Sequence, residues 1–125
     1  MTVERLHVSK RFSEIAIAGN LVHLAGQLAT DVELDIKGQT QQTLDIIDQF
    51  LTDAGTDKSH IMSVTIYLKD IEKDYAAFNE VWDAWVADIE ALPRTCVEAK
   101  LYDPRVLVEL TVVAVKPKSV SYTHL

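Results

Sequence analysis

The spacing of apolar residues changes twice along the chain, and these changes constrain the fold more than any other feature. From Gly38 to Ala54 apolar residues recur every three or four positions, which predicts an amphipathic helix ended by Gly55. From Ile61 to Leu68 they alternate, which predicts a strand inside a sheet. Helical spacing returns after Asp70, a predicted N-cap, and continues to about Val86. The centre of the chain is therefore helix, strand, helix.

Short alternating segments flank this centre. Thr2 to Val8 is a predicted strand, and Glu14 to Leu28 is predicted as two strands around the tight turn Gly19-Asn20. On the other side, Arg94 to Leu101 and Val106 to Val115 are predicted as a second hairpin, because the turn between them contains a proline. The predicted order is β-β-β-α-β-α-β-β, an α+β fold with a mixed sheet and two helices packed on one face.

The size and composition favour one domain. The chain has 125 residues, of which 48% are hydrophobic and 25% charged, a composition typical of one globular core. We expect residues 1–118 to form that single domain. Residues 119–125 continue no periodic pattern and resemble translated sequencing-adapter sequence, so we expect this tail to lie outside the fold and to be an artefact of the gene record.

The charge balance and the single cysteine limit the partners and the compartment. Twelve basic and nineteen acidic residues give a net charge of -7, which disfavours nucleic acid and anionic membrane surfaces as partners. Cys96 has no second cysteine with which to pair, and no segment has the length of a membrane span or the pattern of a secretory signal. These features predict a cytoplasmic protein.

Two helices in one layer cover only one face of a sheet. The other face must then meet solvent or another subunit, and the apolar character of the last strands favours a subunit.

Strand alternation gathers polar residues near the end of the chain. It places Arg94, Cys96 and Glu98 on one face of their strand and leaves the opposite face core-like. Matching the apolar face of the following strand to that core-like face predicts that Glu109 and Thr111 share a face with Arg94, one that the helices do not cover. An arginine fork can hold a carboxylate while a nearby glutamate activates water, which suits hydrolysis of a small anionic substrate. A structural ion pair between Arg94 and Glu109 at a subunit edge is the alternative.

Four motifs in this order resemble the RidA family, also called the YjgF family. They are Leu24-Ala25-Gly26-Gln27, Phe78-Asn79 with Trp82, Arg94-Thr95-Cys96-Val97-Glu98, and Val108-Glu109-Leu110. The resemblance extends from about residue 10 to Val115. It implies a chorismate-mutase-like α+β fold, a homotrimer with sites between subunits, and hydrolysis of reactive 2-imino or 2-enamino acids to 2-keto acids and ammonia. It also implies that no metal or organic cofactor is needed, as in 2-iminobutanoate/2-iminopropanoate deaminases.

The resemblance also assigns roles to two reacting positions. Arg94 matches the family arginine that grips the substrate carboxylate. Glu109 matches the glutamate that positions the attacking water.

Four further positions match residues of the family's binding site. Cys96 matches a pocket residue that we interpret as lining rather than nucleophile, because the chemistry adds water. Gly26 matches a glycine that lets the backbone approach the ligand, and Asn79 matches an asparagine near the cleft. Phe12 stands where the best-known subgroup has tyrosine, so a hydroxyl is absent there.

Other functional classes remain open at this stage. The chain could be a trimeric module that holds a small keto acid without turnover, or a module whose polar face binds a protein partner. The histidines show no paired ligand spacing, so a metal site is not predicted.

Overall fold

The computed structural model describes residues 2–117 and has two helices packed on a mixed six-stranded sheet. The strands are β1 (Val3–Val8), β2 (Ser13–Ala18), β3 (Leu21–Gln27), β4 (Ile61–Leu68), β5 (Arg94–Glu98) and β6 (Val108–Val115), and the helices are α1 (Ile36–Asp53) and α2 (Ile71–Trp85). The spatial order is β1-β2-β3-β6-β4-β5. The α+β class and the order of the elements along the chain are confirmed. The predicted tail, residues 119–125, lies outside the described residues.

The core lies between one face of the sheet and both helices. Along β6, and along β4 from Val64 onward, every second residue is buried on this helix-covered face because strand side chains alternate. The two helices contribute the other half of the core. Its fully buried members include Ile15, Val22, Leu44, Ile47, Leu51, Ile66, Leu68, Phe78, Val108 and Leu110.

The last two strands do not form the predicted hairpin, so that prediction was wrong. β5 pairs in parallel with β4, while β6 lies between β3 and β4 and is antiparallel to both. β6 has eight mostly apolar residues, and a central position buries more of their surface than an edge would. β5 is short and largely exposed, and it forms an edge. The turn around Pro104 belongs to a longer connection that passes across the end of β4. Both strands are also shorter than predicted.

The ends of α1 follow from local hydrogen bonds. The helix begins at Ile36, two residues before the prediction, because the Asp35 carboxylate accepts a hydrogen bond from the Gly38 amide at 2.9 Å. At the other end, Gly55 has a φ of +87° and donates to the Thr52 carbonyl, and Thr56 donates to the Leu51 carbonyl. This is a Schellman arrangement, so Gly55 ends the helix as predicted.

The second face of the sheet, called the open face here, is covered by neither helix. It carries mostly small apolar and hydroxyl side chains, including Ala16, Ala18, Thr65, Tyr67, Thr111 and Val113. Large apolar residues remain accessible on it, such as Leu21 and Val97. Within residues 2–117, neither helix has the length and apolarity needed to cross a membrane.

Gly55 provides a test of the helix end. A Cβ at this position would meet only the Lys116 side chain at 3.6 Å, so the cost of a substitution is conformational rather than steric. Gly55→Ala should lower the free energy of unfolding by about 1 kcal/mol, and Gly55→Asn should lower it less, because asparagine tolerates positive φ. Urea unfolding of the three proteins measures the order. A Gly55→Ala protein as stable as the parent would contradict this account.

Candidate functional site

Arg94 begins β5 and lies against α2 on the helix-covered face. Its Nη2 donates to Asn79 Oδ1 at 2.8 Å and to Tyr75 Oη at 3.2 Å. The two acceptors are one turn apart on α2, so they face the same side of the helix. The guanidinium carbon also lies 5.3 Å from the Trp82 ring centroid and 5.8 Å from those of Tyr75 and Phe78. Aromatic faces attract such a cation, and this wall fixes its position.

The other terminal nitrogen of Arg94 has no hydrogen-bond partner. Among the buried side-chain nitrogen and oxygen atoms of residues 2–117, Nη1 alone has no hydrogen-bond partner. An unsatisfied donor on a charged group costs free energy in a folded protein, and its persistence needs an explanation. An anionic ligand that supplies an acceptor would remove that cost.

A cleft of about 540 Å³ opens beside this guanidinium. It is lined by Ile71, Glu72, Tyr75, Arg94 and Cys96. Burial raises the pKa of the Cys96 thiol, and the nearby Arg94 charge lowers it by less. The thiol therefore stays protonated near neutral pH, which suits a lining residue rather than a nucleophile.

Glu98 positions the helix beside the cleft. Its Oε1 accepts a hydrogen bond from the Ile71 amide at 3.0 Å, and the Asp70 carboxylate accepts one from the Lys73 amide at 3.1 Å. Both bonds satisfy amides in the first turn of α2 and place negative charge at its positive end. Glu98 thereby holds the start of α2, the segment that carries Tyr75, next to β5.

A second group forms around Glu109 on the open face. Leu24 pairs with Val112 and Gln27 pairs with Leu110, so β3 has two residues where β6 has one, which is a β-bulge. Gly26 lies in this bulge, and a Cβ built on it would collide with the Glu109 carboxylate. Glycine at this position lets the carboxylate lie directly against the β3 backbone, and any larger residue would displace it. Burial raises the pKa of Glu109 above its usual value.

Arg94 and Glu109 lie on opposite faces of the sheet, so the prediction that they share a face was wrong. Arg94 is paired with Val64 on the buried face of β4, whereas Glu109 is paired with Tyr67 on the open face. The prediction assumed that the Thr95 and Val97 side of β5 was the core side. In the structure Val97 is 39% exposed, and α2 supplies the neutral polar partners that let Arg94 face the apolar layer. The two side chains form no ion pair within one chain.

No metal site is assembled within residues 2–117. In this part of the chain, no three His, Cys, Asp or Glu side chains come together as ligands for an ion.

Comparisons with known proteins show the family to which this chain belongs. The profile of the endoribonuclease L-PSP family matches residues 2–116. A RutC family protein of Haemophilus ducreyi is 43% identical over 112 residues, which are 90% of this chain and 95% of that protein. The crystal structure of a YjgF family member from Neisseria meningitidis superposes with a TM-score of 0.90 at 39% identity, covering 95% of this chain and 98% of that one. The chain belongs to the YjgF/RidA family. An uncharacterized protein of Pseudomonas aeruginosa, 43% identical with a TM-score of 0.89, has the same fold over 93% of this chain.

The positions that the resemblance assigned to a binding site fall into two separate groups. Asn79 and Cys96 lie with Arg94 on the helix-covered side, and Gly26 lies with Glu109 on the open face. Phe12 joins β1 to β2 and is 53% exposed, with its carbonyl held by the Ser9 amide and hydroxyl. Within one chain, the sheet separates these two groups.

Sequence reasoning missed one residue of this YjgF/RidA chain. Helical spacing groups Tyr75 with Phe78, Trp82 and Trp85 in a predicted packing stripe, but Tyr75 contacts Arg94 and is 43% exposed. The available signal was its place at the start of the stripe, next to the polar residues that cap α2.

The raised pKa of Glu109 gives a pH-dependent prediction for stability. The folded chain holds this proton to higher pH than the unfolded chain does, so stability falls as pH rises from the unfolded to the folded pKa. Glu109→Gln removes the charge and should raise Tm at pH 7, and the gain should disappear below about pH 4.5, the ordinary pKa of the side chain. Thermal unfolding at fixed protein concentration measures this, with the exposed Glu90→Gln as a control. A Tm at pH 7 equal to or below that of the parent would refute it.

Proposed function

We propose that this protein hydrolyses small 2-imino or 2-enamino acids to 2-keto acids and ammonia, in a site that two copies of the chain complete within a homotrimer. The observation that carries the proposal is the buried, unpartnered Nη1 of Arg94, a residue that lines an open cleft. The activity is of the 2-iminobutanoate/2-iminopropanoate deaminase type, and membership in the YjgF/RidA family supports it.

Arg94 binds the substrate carboxylate. A carboxylate oxygen supplies the acceptor that Nη1 lacks, while Asn79 and the aromatic wall keep the guanidinium in place. Such charge-assisted bonds are stronger in a partly dry cleft than in water. Cys96 lines the cleft beside the bound anion.

Glu109 activates the water. Because burial raises the pKa of Glu109, its carboxylate is a stronger base than that of an exposed glutamate. It removes a proton from water as the oxygen adds to the protonated C=N carbon. Glu109 returns this proton to the nitrogen of the carbinolamine that forms. The C–N bond then breaks, and the hydroxyl proton passes to the departing ammonia, which leaves as ammonium, while the oxygen becomes the carbonyl of the keto acid.

The opposite placement of the two groups supports a site shared between copies. Arg94 of one chain can meet Glu109 only of another, because the sheet separates them within a chain. The uncovered open face, which carries Glu109 and apolar residues such as Leu21 and Val97, suits contact with a neighbouring copy. Gly26 on that face leaves space for the carboxylate of Glu109 to lie against the β3 backbone.

RNA is a poor substrate for this chain, although the matching family profile carries an endoribonuclease name. The net charge is -7, and Glu72 lies at the cleft beside Arg94, so a polyanion meets repulsion. The same charge disfavours an anionic membrane surface. We propose a cytoplasmic enzyme that acts on small metabolites.

A second candidate is a trimeric module that binds a keto acid without turnover. The Arg94 cleft favours it, because it offers a carboxylate site whether or not Glu109 is nearby. The two candidates differ in one readout, the release of ammonia.

Imine hydrolysis is tested with an imino acid generated in place by an amino-acid oxidase. Ammonia release above the uncatalysed rate is expected from the parent, and Arg94→Ala should reduce it about 100-fold, since the charge-assisted contact with the substrate carboxylate is lost. The matched control is Arg105→Ala, which removes an exposed guanidinium that pairs with Glu33 and Asp103. If Arg94→Ala and the parent release ammonia at equal rates, Arg94 does not bind the substrate carboxylate. If the parent binds a keto acid but releases no ammonia, the second candidate is favoured.

The shared site is tested by mixing two inactive variants. A trimer made only of Arg94→Ala or only of Glu109→Gln chains has no intact site. In a mixed trimer, some contacts join a copy that supplies Arg94 to a copy that supplies Glu109. Unfolding and refolding an equal mixture should restore about a quarter of the parent activity if copies assort at random. Activity no higher than that of either variant refolded alone would contradict a site built from two copies.

A further inference from the structure

We propose that the Tyr75 hydroxyl is a second donor to the substrate carboxylate, so that Tyr75 and Arg94 bind this group together. The inference rests on the proposed function and adds a specificity-determining residue to it.

The position of Tyr75 sets it apart from the other aromatic residues of α2. Phe78 and Trp82 are buried in the core, whereas Tyr75 is 43% exposed and lines the cleft with Arg94. Its ring also contributes to the wall around the guanidinium. A role in core packing does not account for the Tyr75 hydroxyl at the cleft.

The direction of one hydrogen bond decides what the hydroxyl can do. Arginine has no acceptor and stays protonated in proteins, so Arg94 Nη2 must donate to Tyr75 Oη. The two hydrogens of Nη2 are taken by Tyr75 and Asn79. A phenol oxygen that accepts a bond keeps its own hydrogen, and within residues 2–117 this hydroxyl makes no other side-chain hydrogen bond.

The free phenol hydrogen therefore lies beside the positive charge, at the wall of the cleft. An anionic oxygen that enters the cleft can accept from Tyr75, and a turn of the guanidinium that brings its buried Nη1 to the cleft adds a bond from Arg94. The bond from Arg94 also polarises the Tyr75 hydroxyl and makes it a better donor. The pair matches a planar carboxylate, and a neutral ester does not accept as strongly from either donor.

Tyr75→Phe removes this donor and keeps the ring. Calorimetry should show that 2-oxobutanoate binds about tenfold more weakly to Tyr75→Phe than to the parent. Methyl 2-oxobutanoate should bind both proteins equally. Tyr102→Phe is the matched control, because Tyr102 is 77% exposed and lies outside the Arg94 cleft. In turnover, Tyr75→Phe should raise KM with little change in kcat.

A double-variant cycle separates direct donation from a role that acts only through Arg94. If Tyr75 donates to the ligand, Tyr75→Phe should weaken 2-oxobutanoate binding further in an Arg94→Lys background. No further loss in that background overturns direct donation. Equal binding of 2-oxobutanoate by the parent and Tyr75→Phe overturns the inference and leaves the proposed function standing, whereas no binding by the parent overturns both.

Discussion

The parallel pairing of β5 with β4 determines where the charged groups of this protein lie. It aligns Arg94 and Cys96 with Val64 and Ile66, so an arginine at the sheet edge is turned toward the layer between sheet and helices. That orientation requires polar partners, and α2 supplies them in Tyr75 and Asn79. The other cleft features follow from the same pairing, including the Glu98 bond that holds the start of α2. An antiparallel β5 paired with β6 would leave all of these contacts unmade.

The elements were predictable because their signals are local. The apolar spacing of α1 and α2, the Asp70 cap and the Gly55 end depend on residues a few positions apart, and each is found in the structure. The strand partners were not predictable in this way. The turn residues around Pro104 are consistent with a hairpin of β5 and β6. The hairpin is excluded because β6 occupies a central place in the sheet between β3 and β4, which leaves β5 at the edge beside β4. The error in pairing then placed Glu109 on the wrong face relative to Arg94.

The family resemblance identified site positions that the periodicity could not connect. Gly26 shows why, since its importance comes from a bulge and from the side chain of Glu109 on another strand, more than eighty positions away in sequence. Asn79 similarly gains its role from Arg94 across the gap between α2 and β5. Tyr75 escaped both methods, because its aromatic ring fits the packing stripe and only the position of its hydroxyl reveals the contact.

The aromatic wall has a consequence for the speed and selectivity of ligand capture. Trp82, Phe78 and Tyr75 surround much of the Arg94 guanidinium, so folding has already removed most of the water from that side of the cation. An arriving anion has fewer hydration contacts to displace and keeps a larger share of its attraction to the charge. Anions too broad to enter beside the rings gain little from that dehydration. For the ligand proposed above, the rings would favour an anion small enough to enter beside them.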